Sequence, residues 1–260
     1  MNEELSNYLD EVRASVAEPI VNDIVLSFSG GMDSTCLLLH YLAQGKNVTA
    51  VSFKYGQNHS LELKRADKII KQLKKWGYPV EHRVVDLTSA FALSASELVG
   101  GTVPAAEYDE ETQKKSVVEN RNIIFSSIIY GMALSIAKRN NGRVNIAQGV
   151  HSNDNSIYPD CRPESVNLAR ELYKISNWGS EMVDFETPFV NITKAEVLKD
   201  GLEAMKAMKF NKPRMKKILG LTISCYNPGP NGEPCGECGT CRDRAEAFEA
   251  NNMEDPSIKN

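Results

Sequence analysis

A short turn, Ser29-Gly30-Gly31-Met32-Asp33-Ser34, constrains the fold of this chain more than any other stretch of its sequence. The turn follows the apolar run DIVLSFS (23–29), which is typical of a buried strand, and precedes DSTCLLLHYLAQG (33–45), which is typical of a helix. Two adjacent glycines let backbone N–H groups approach an anion closely, and a helix N-terminus adds positive potential. The sequence therefore predicts a phosphate-binding turn, with a tight turn that binds nothing as the alternative.

Strand-like and helix-like segments alternate along the rest of the chain. Further strands are predicted at 47–56, 80–87, 143–149 and 182–187, and further helices at 3–17, 59–77, 120–140, 164–178 and 193–208. This alternation predicts an α/β fold with a parallel sheet, whose ligand is expected at the carboxyl ends of the strands. An exposed loop is predicted over 94–116, and the final segment, 210–260, contains one predicted helix, 241–252.

Composition places the chain among globular proteins and argues against two kinds of partner. The chain has 260 residues, of which 42% are hydrophobic and 25% are charged, and its net charge is -4. This acidic balance argues against direct binding to nucleic acid, which normally needs a basic surface. The longest apolar stretch is shorter than the roughly 20 residues of a membrane span. The sequence begins with MNEELSNYLDEV, which does not resemble a secretory signal, so we expect a cytoplasmic protein.

Four of the six cysteines lie in one stretch near the C-terminus: Cys225, Cys235, Cys238 and Cys241. In a chain without an export signal, clustered thiols more often bind a metal than form disulfides. The spacing predicts a tetrahedral zinc site with four thiolate ligands, and an iron–sulfur cluster or unliganded redox thiols are the alternatives. Four protein ligands leave no open position for substrate, so we expect one structural zinc per chain.

The complete string Ser-Gly-Gly-x-Asp-Ser, in its strand–helix context, resembles the pyrophosphate loop (PP-loop) of the ATP pyrophosphatases, which cleave ATP to AMP and pyrophosphate. YGQNH (55–59), IYPDCRPE (157–164) and the cysteine-rich tail are similar to stretches of the 7-cyano-7-deazaguanine synthase (QueC) family. The resemblance implies a Rossmann-like fold of the adenine nucleotide alpha hydrolase type, with helices on both faces of the sheet. It divides the chain into an ATP-pyrophosphatase domain (1–209) and a zinc-binding helical tail (210–260).

The resemblance also implies a reaction, in which 7-carboxy-7-deazaguanine, ammonia and ATP give 7-cyano-7-deazaguanine, an intermediate towards queuosine. A carboxylate is a poor electrophile, so attack on the α-phosphorus of ATP first makes an acyl adenylate. Ammonia then displaces AMP to give an amide, and a second adenylation leads to the nitrile. This chemistry depends on positioning and on charge neutralisation by cations and by Mg²⁺ bound with ATP. The resemblance further implies a homodimer.

The predicted ATP site combines the turn with the end of the second strand: Ser27, Ser29, Gly30, Gly31, Met32, Asp33, Ser34, Phe53, Tyr55 and Gln57. The plain end of a strand is the alternative for the last three residues. Asp33 and Ser34 also belong to the predicted catalytic set, where Asp33 either helps to place Mg²⁺ or caps the helix. Arg121 completes that set as a cation for phosphate or for the substrate carboxylate, with a salt-bridged helix start as its alternative. Lys194 completes it as a cation for phosphate, with a solvated lysine on a helix as its alternative.

The predicted substrate site lies on the segments that follow the later strands: Arg121, Asn122, Gly149, Asp154, Tyr158, Asp160 and Arg162. Their mixture of acceptors and cations suits a purine edge and a carboxylate, and an ordinary polar turn is the alternative. Cys161 lies in the same segment and Cys36 lies among leucines, and both are expected to pack in the interior.

Two positions depart from the family's pattern and leave the amine acceptor open. Asn58 stands where the family often has arginine, and Glu119 stands where it usually has proline. One alternative function is therefore a paralogue that stops at the amide or joins the acid to another amine, including a protein amine. A tRNA-modifying or sulfur-transferring pyrophosphatase is disfavoured, because it would need a basic surface or a catalytic thiol arrangement. Outside the enzymes, the alternative is a zinc-bearing nucleotide sensor.

Overall fold

A computed structural model describes residues 22–56, 61–99, 114–115, 117–152, 158–229 and 232–258. The predicted helix over 3–17, most of the predicted loop over 94–116, and Gln57, Asn58 and Asp154 lie outside the described residues. Within the described part of the chain, no helix has the length and apolar content that crossing a membrane requires.

The sheet has five strands, and all its pairings are parallel. They are β1 (Asp23–Ser27), β2 (Asn47–Lys54), β3 (Val80–Asp86), β4 (Val144–Ala147) and β5 (Phe185–Glu186), and each lies inside a segment predicted as a strand. Their order in the sheet is β3-β2-β1-β4-β5. The order reverses at β1, so the connections that follow β1 and β4 diverge and leave a crevice at the carboxyl edge.

Helices cover both faces of the sheet, which confirms the predicted α/β, Rossmann-like fold. The first face carries α1 (Met32–Ala43), α2 (Leu61–Lys75), α5 (Lys194–Ala207), α6 (Lys212–Leu221) and α7 (Gly239–Ala250), and the second carries α3 (Arg121–Asn140) and α4 (Pro163–Ser176). Alternate residues of β1 serve the two cores, because Leu26 packs in the first and Val25 in the second.

Helices α1 and α5 pack closely enough to align their N-termini. Cys36 in α1 is fully buried, as the sequence predicted. A Cβ at Gly201 in α5 would lie 2.5 Å from Cys36 Sγ, so a larger residue at position 201 would push the two helices apart. This contact holds the first turn of α5 beside the first turn of α1.

Helix α6 is absent from the sequence prediction, which placed one helix in residues 210–260. Asn211 caps the helix by accepting a hydrogen bond from the Arg214 N–H at 3.1 Å, and a proline lies in the first turn. Ile218 and Leu219 are fully buried in the first core. The basic residues of this stretch led to its interpretation as solvated surface, whereas it forms a short amphipathic helix.

A buried arginine fastens the C-terminal segment to the rest of the fold. Arg244 in α7 pairs with Asp255, with an Nε–Oδ2 distance of 2.6 Å, and it also donates to Thr222 Oγ1 and Leu219 O. Phe248, one turn further along α7, packs in the first core. The segment therefore has an anchor that lies apart from the cysteine cluster.

Candidate functional site

The turn after β1 carries the hydroxyl and amide groups that the sequence assigned to phosphate binding. Ser29 Oγ accepts a hydrogen bond from the Gly31 N–H at 3.1 Å and lies 3.1 Å from Ser34 Oγ. Ser34 Oγ accepts from the Ser29 N–H and donates to Gly31 O, both at 3.3 Å. These bonds hold the turn in front of α1, whose first N–H groups lack partners within the helix. The turn is therefore shaped to bind an anion.

The geometry of this turn requires glycine at position 30. Gly30 has a φ of +83°, in the left-handed region that glycine adopts without strain. A Cβ at this position would also lie 2.7 Å from Ala66 N in α2. The close approach places the first turns of α2 against the phosphate-binding turn. Met32, by contrast, packs its side chain in the first core, so only its backbone is available to the predicted ATP site.

The Asp33 carboxylate is the centre of a buried charge network. Lys194 Nζ lies 3.3 Å, and His151 Nε2 lies 3.6 Å, from Asp33 Oδ2. Lys194 is only 6% exposed and is the first residue of α5, where a capping box of Thr193 and Glu196 fixes the helix start. The sequence predicted Asp33 and Lys194 without relating them, and the structure brings them into contact.

The charges in this network keep Asp33 ionised. Burial alone raises the pKa of the Asp33 carboxyl, but the Lys194 ammonium and His151 more than offset it, so this pKa lies well below its ordinary range. Asp33 Oδ1 is buried and has no hydrogen-bond partner among the described residues. A buried carboxylate oxygen without a donor fits a hard cation such as Mg²⁺. Asp33 therefore combines pairing to Lys194 with an oxygen that fits a metal ion.

Arg121, the first residue of α3, supplies a second cation to the same pocket. Its guanidinium lies 5.9 Å from the ring centre of Tyr55 and 6.0 Å from that of Tyr158. The Tyr158 hydroxyl lies 2.8 Å from the Tyr226 hydroxyl. Aromatic faces attract a guanidinium without neutralising it. The charge of Arg121 is therefore held in place and remains available to an anionic ligand.

The end of β2 forms an aromatic wall of the pocket. Phe53 stacks on Phe125 with ring centres 4.0 Å apart and an angle of 6° between the rings. Tyr55 packs edge-on against Phe91. Phe53, Tyr55 and Ser27 line the same pocket as the phosphate-binding turn. This part of the predicted ATP site thus offers apolar surface beside the turn, as a nucleobase requires.

Four residues of the predicted substrate site line this pocket: Arg121, Asn122, Gly149 and Tyr158. Asp160 and Arg162 do not. The Asp160 carboxylate accepts hydrogen bonds from the Asn122 N–H at 2.9 Å and from Nδ2 at 3.2 Å, so it caps α3. Arg162 is the N-cap residue of α4. Cys161 is buried, as predicted, and its sulfur accepts from Asn122 Nδ2 at 3.2 Å.

The four clustered cysteines converge on one point. Their sulfur atoms all lie within 4.8 Å of one another, with Cys235–Cys241 at 3.9 Å and Cys225–Cys238 at 4.0 Å. A tetrahedral zinc with Zn–S bonds of about 2.3 Å needs sulfur–sulfur distances of about 3.8 Å. The Cys235 N–H donates to Cys225 Sγ and the Cys238 N–H donates to Cys235 Sγ, and both bonds favour thiolates. The cluster therefore fits a metal ion such as zinc.

The cysteine cluster is continuous with the pocket. The Ile223 N–H donates to Gly30 O at 3.3 Å, so this segment lies across the phosphate-binding turn. Ser224, Cys225 and Tyr226 then form one wall of the pocket. Whatever orders Cys225 therefore also shapes the site beside the turn.

Sequence reasoning missed several polar residues around the pocket, among them Glu62, Gln148, His151 and Ser224. Gln148 and His151 follow β4, so their position at the carboxyl edge of a predicted strand was a usable signal. Glu62 reaches the pocket only because α2 folds against Gly30. Ser224 reaches it because the tail crosses the turn, and its buried hydroxyl has no partner among the described residues. The sequence gives no indication that α2 packs against Gly30 or that the tail crosses the turn.

A larger groove, of about 1500 Å³, lies at the opposite edge of the sheet, between β3 and α3. It contains none of the predicted site residues. The pocket at the carboxyl edge is smaller, with a cavity of about 240 Å³, but it unites the anion-binding turn, the cations Lys194 and Arg121, and an aromatic wall. Because ligands of such sheets bind at this edge, the smaller pocket is the candidate active site.

Comparison with known proteins gives consistent matches over this architecture. The family model described as "Queuosine biosynthesis protein QueC" matches residues 23–252. The "7-cyano-7-deazaguanine synthase" of Pseudoalteromonas translucida is 37% identical over 240 residues, which cover 90% of this chain and 96% of the relative. The synthase of the same name from Archaeoglobus fulgidus is 39% identical over 237 residues, covering 90% and 89%. The solved NMN synthetase of Francisella tularensis aligns with 97% of this chain and 85% of its own at 15% identity and a TM-score of 0.40, too distant to add to the comparison.

Proposed function

This chain belongs to the QueC family of queuosine biosynthesis proteins, and we propose that it is an ATP-dependent ligase that makes 7-cyano-7-deazaguanine from 7-carboxy-7-deazaguanine and ammonia. One observation carries the proposal. A single pocket contains the PP-loop, the Asp33–Lys194 pair and the Arg121 guanidinium. An anionic nucleotide and an anionic acid can bind there together only if both cations neutralise them.

In adenylation, the residues at one end of the pocket bind ATP and the residues at the other end bind the acid. The N–H groups and hydroxyls of the turn, from Ser29 to Ser34, bind the pyrophosphate part of ATP. Lys194 neutralises charge at the phosphates, and Asp33 Oδ1 would hold the Mg²⁺ that accompanies ATP. Phe53 and Tyr55 border the nucleobase. Arg121 and Asn122 hold the deazapurine acid so that its carboxylate oxygen faces the α-phosphorus.

The nitrile requires the same site to act twice. The acid oxygen attacks the α-phosphorus and pyrophosphate leaves, which gives the acyl adenylate. Ammonia attacks the acyl carbon and AMP leaves with the former carboxylate oxygen, which gives the amide. Adenylation of the amide oxygen then lets AMP depart as the nitrile forms. Each step moves charge on phosphate oxygens, so the fixed cations and N–H donors suffice, and no nucleophilic side chain is needed.

We further propose that the cysteine cluster binds one structural zinc per chain. Its four thiolates would complete the coordination, so the metal would take no part in the reaction. In this proposal, residues 1–209 form the ATP-binding unit and residues 210–260 form a metal-bearing extension that closes the pocket. The contact between Ile223 and Gly30 supports the proposal that the extension closes the pocket.

A product analysis tests the proposed reaction. Purified, zinc-replete protein is incubated with 7-carboxy-7-deazaguanine, ATP, Mg²⁺ and ammonium, and the products are analysed by mass spectrometry. We expect AMP, pyrophosphate and the nitrile, with the amide at early times. An Asp33→Asn variant serves as the matched control, because it removes the charge at the centre of the phosphate site with little change in shape.

The same experiment separates the alternatives. A product that retains the carbonyl would favour a paralogue that stops at the amide or uses another amine. AMP with neither amide nor nitrile would reject ammonia as the acceptor. Tight ATP binding without pyrophosphate release would favour a nucleotide sensor. Absence of both ATP binding and AMP would contradict the proposed function.

We also propose that the chain forms a homodimer through an exposed face of α4. Leu168, Leu172 and Ile175, with Trp178 beyond the helix, form an apolar stripe, and Trp178 is 93% exposed. A two-fold axis would pair this stripe with its own copy.

In sedimentation at micromolar concentration we expect a species of twice 28.8 kDa. Ile175→Lys should give the monomer, whereas Lys174→Ala, at an exposed neighbour, should not. A wild-type monomer would contradict the proposal.

A further inference from the structure

Glu62 is a partly buried glutamate in the candidate active site that the proposed steps do not use. It lies in the first turn of α2 and lines the same pocket as Ser29, Gly31 and Arg121. The α2 backbone is fixed there, because a Cβ at Gly30 would lie 3.1 Å from Glu62 O. No described residue forms a hydrogen bond or an ion pair with the Glu62 carboxylate. A carboxylate that lines a ligand pocket without a protein donor is available to a ligand, so its position points to a ligand with positive charge or N–H donors.

Among the described acidic residues of the pocket, Glu62 is the one without a direct ion pair, although Arg121 lies near enough for its charge to act on it. Burial raises the pKa of Glu62 to about 6, and the Arg121 guanidinium acts in the opposite direction. Asp33 and Lys194 pair with each other. The remaining titratable groups on the walls are Tyr55, Tyr158 and Tyr226, with the thiols of Cys161 and Cys225. Burial raises the pKa of Tyr55, so its hydroxyl stays neutral in the range where Glu62 ionises.

The ligand of this carboxylate must carry positive charge or N–H donors, and its place in the pocket favours a small cation. Glu62 lies close enough to Arg121 to be influenced by its charge. Arg121 is where the carboxylate of the deazapurine acid is proposed to bind. In this binding mode Glu62, which lines the same pocket, would lie on the side of the carbon that reacts with ammonia. At neutral pH, ammonia in water is almost entirely ammonium, which has no lone pair and cannot attack.

We propose that the Glu62 carboxylate binds ammonium beside the acyl adenylate and accepts one of its protons, which makes Glu62 the general base of amide formation. This inference rests on the proposed function. The proton moves from nitrogen to a Glu62 oxygen and leaves neutral ammonia. The nitrogen lone pair forms the bond to the acyl carbon, and the bond from that carbon to the AMP oxygen breaks, with the electron pair leaving on AMP. The surplus proton on nitrogen passes to water, and Glu62 then loses its proton to water.

The pH dependence of a Glu62→Gln variant tests this role. Wild type should gain activity as pH rises through about 6, because Glu62 must be ionised to act as a base, and should then level off. The variant should form amide at least about 100-fold more slowly at neutral pH. Its rate should follow free ammonia and rise about tenfold per pH unit above neutrality. A variant with the same pH profile as wild type would overturn the proposal.

A second nucleophile separates loss of the base from loss of the site. Hydroxylamine is already uncharged at neutral pH, so Glu62→Gln should form the hydroxamate and AMP within a few-fold of wild type. Loss of AMP with hydroxylamine as well would show that Glu62 serves ATP or the acid, and would overturn the proposal. If wild type makes no AMP with either nucleophile, the proposed function fails instead.

Two further variants guard against a structural explanation. Asp67→Asn removes an exposed carboxylate from the same helix and should behave as wild type. Glu62→Asp keeps a carboxylate, so its rate of amide formation should be lower than that of wild type but should still rise as pH passes through about 6. Because Glu62 has no partner to lose, Glu62→Gln should unfold at the same temperature as wild type or higher. A marked fall in its melting temperature would contradict the unpaired carboxylate on which the proposal rests.

Discussion

Replacing Lys194 with methionine is expected to reduce AMP formation by about 100- to 1,000-fold, the range found when one donor to a transition-state anion is removed. Methionine keeps much of the length of the lysine side chain, so the change removes charge with little change in volume. Lys194 is buried at the start of α5 and contacts both Asp33 and the pocket. The substitution therefore affects the phosphate site and the charge balance of the network together.

The stability of the Lys194→Met variant should depend on pH differently from that of wild type. In wild type the folded-state pKa of Asp33 is depressed, so its contribution to stability is present above the unfolded pKa and is lost as pH falls. Without Lys194, a main cause of this depression is lost, so the pKa of Asp33 should rise towards its ordinary value. Removing one partner of a buried pair commonly costs about 3 kcal/mol, so the melting temperature at neutral pH should fall. The gain in stability from acid to neutral pH should shrink.

A double variant separates the two effects. Asp33→Asn combined with Lys194→Met leaves no unpaired charge, so it should recover much of the lost stability while remaining inactive. Lys199→Met, at an exposed position of the same helix, is the matched control and should resemble wild type. Activity that returned with stability in the double variant would show that Lys194 is a structural residue and does not contact phosphate. Full activity in Lys194→Met would remove it from the site altogether.

The parts of this fold that sequence could predict are those determined locally. The PP-loop lies within six residues, and its glycines and hydroxyls act on their own neighbours, so the string specified the turn. Strands β1, β2 and β4 were predictable because each is a mostly apolar run buried by helices on both faces. The cysteine cluster was predictable because three of its ligands lie within seven residues, and metal ligands must converge.

The parts that sequence could not predict depend on contacts between distant segments. Asp33 and Lys194 meet only because α1 and α5 pack closely at Cys36 and Gly201. Asp160 resembles a substrate ligand in sequence, yet it caps α3 by bonding to Asn122. In both cases the residue type suggested a role in the site, but the sequence did not show which residue it contacts. A polar residue near a strand end therefore indicates the site's neighbourhood, and only packing decides its role.

Replacing Cys235 with serine is expected to abolish metal binding, and the extent of the resulting unfolding follows from where the segment is anchored. Wild type should contain about one zinc per chain, and the variant close to none, since a structural site needs all four ligands. Binding free energy at such a site is also folding free energy, so the melting temperature should fall. The buried Arg244–Asp255 pair and Phe248 should keep α7 on the first core. Loss of order should therefore be confined largely to the segment from Ile223 to Cys238, which ends where α7 begins.

Because this segment also forms part of the pocket, loss of the metal should affect catalysis although zinc does not contact the substrate. Ile223 to Tyr226 cross the PP-loop and form a wall of the pocket, so releasing them should open the site to water and lower AMP formation. Hydrogen exchange should quicken in this segment while α7 stays protected. Cys161→Ala, which removes a buried thiol outside the cluster, should keep its zinc. A Cys235→Ser protein that is as stable and as active as wild type would show that the ordering comes from the Arg244 anchor alone, and that the cluster does not depend on a metal.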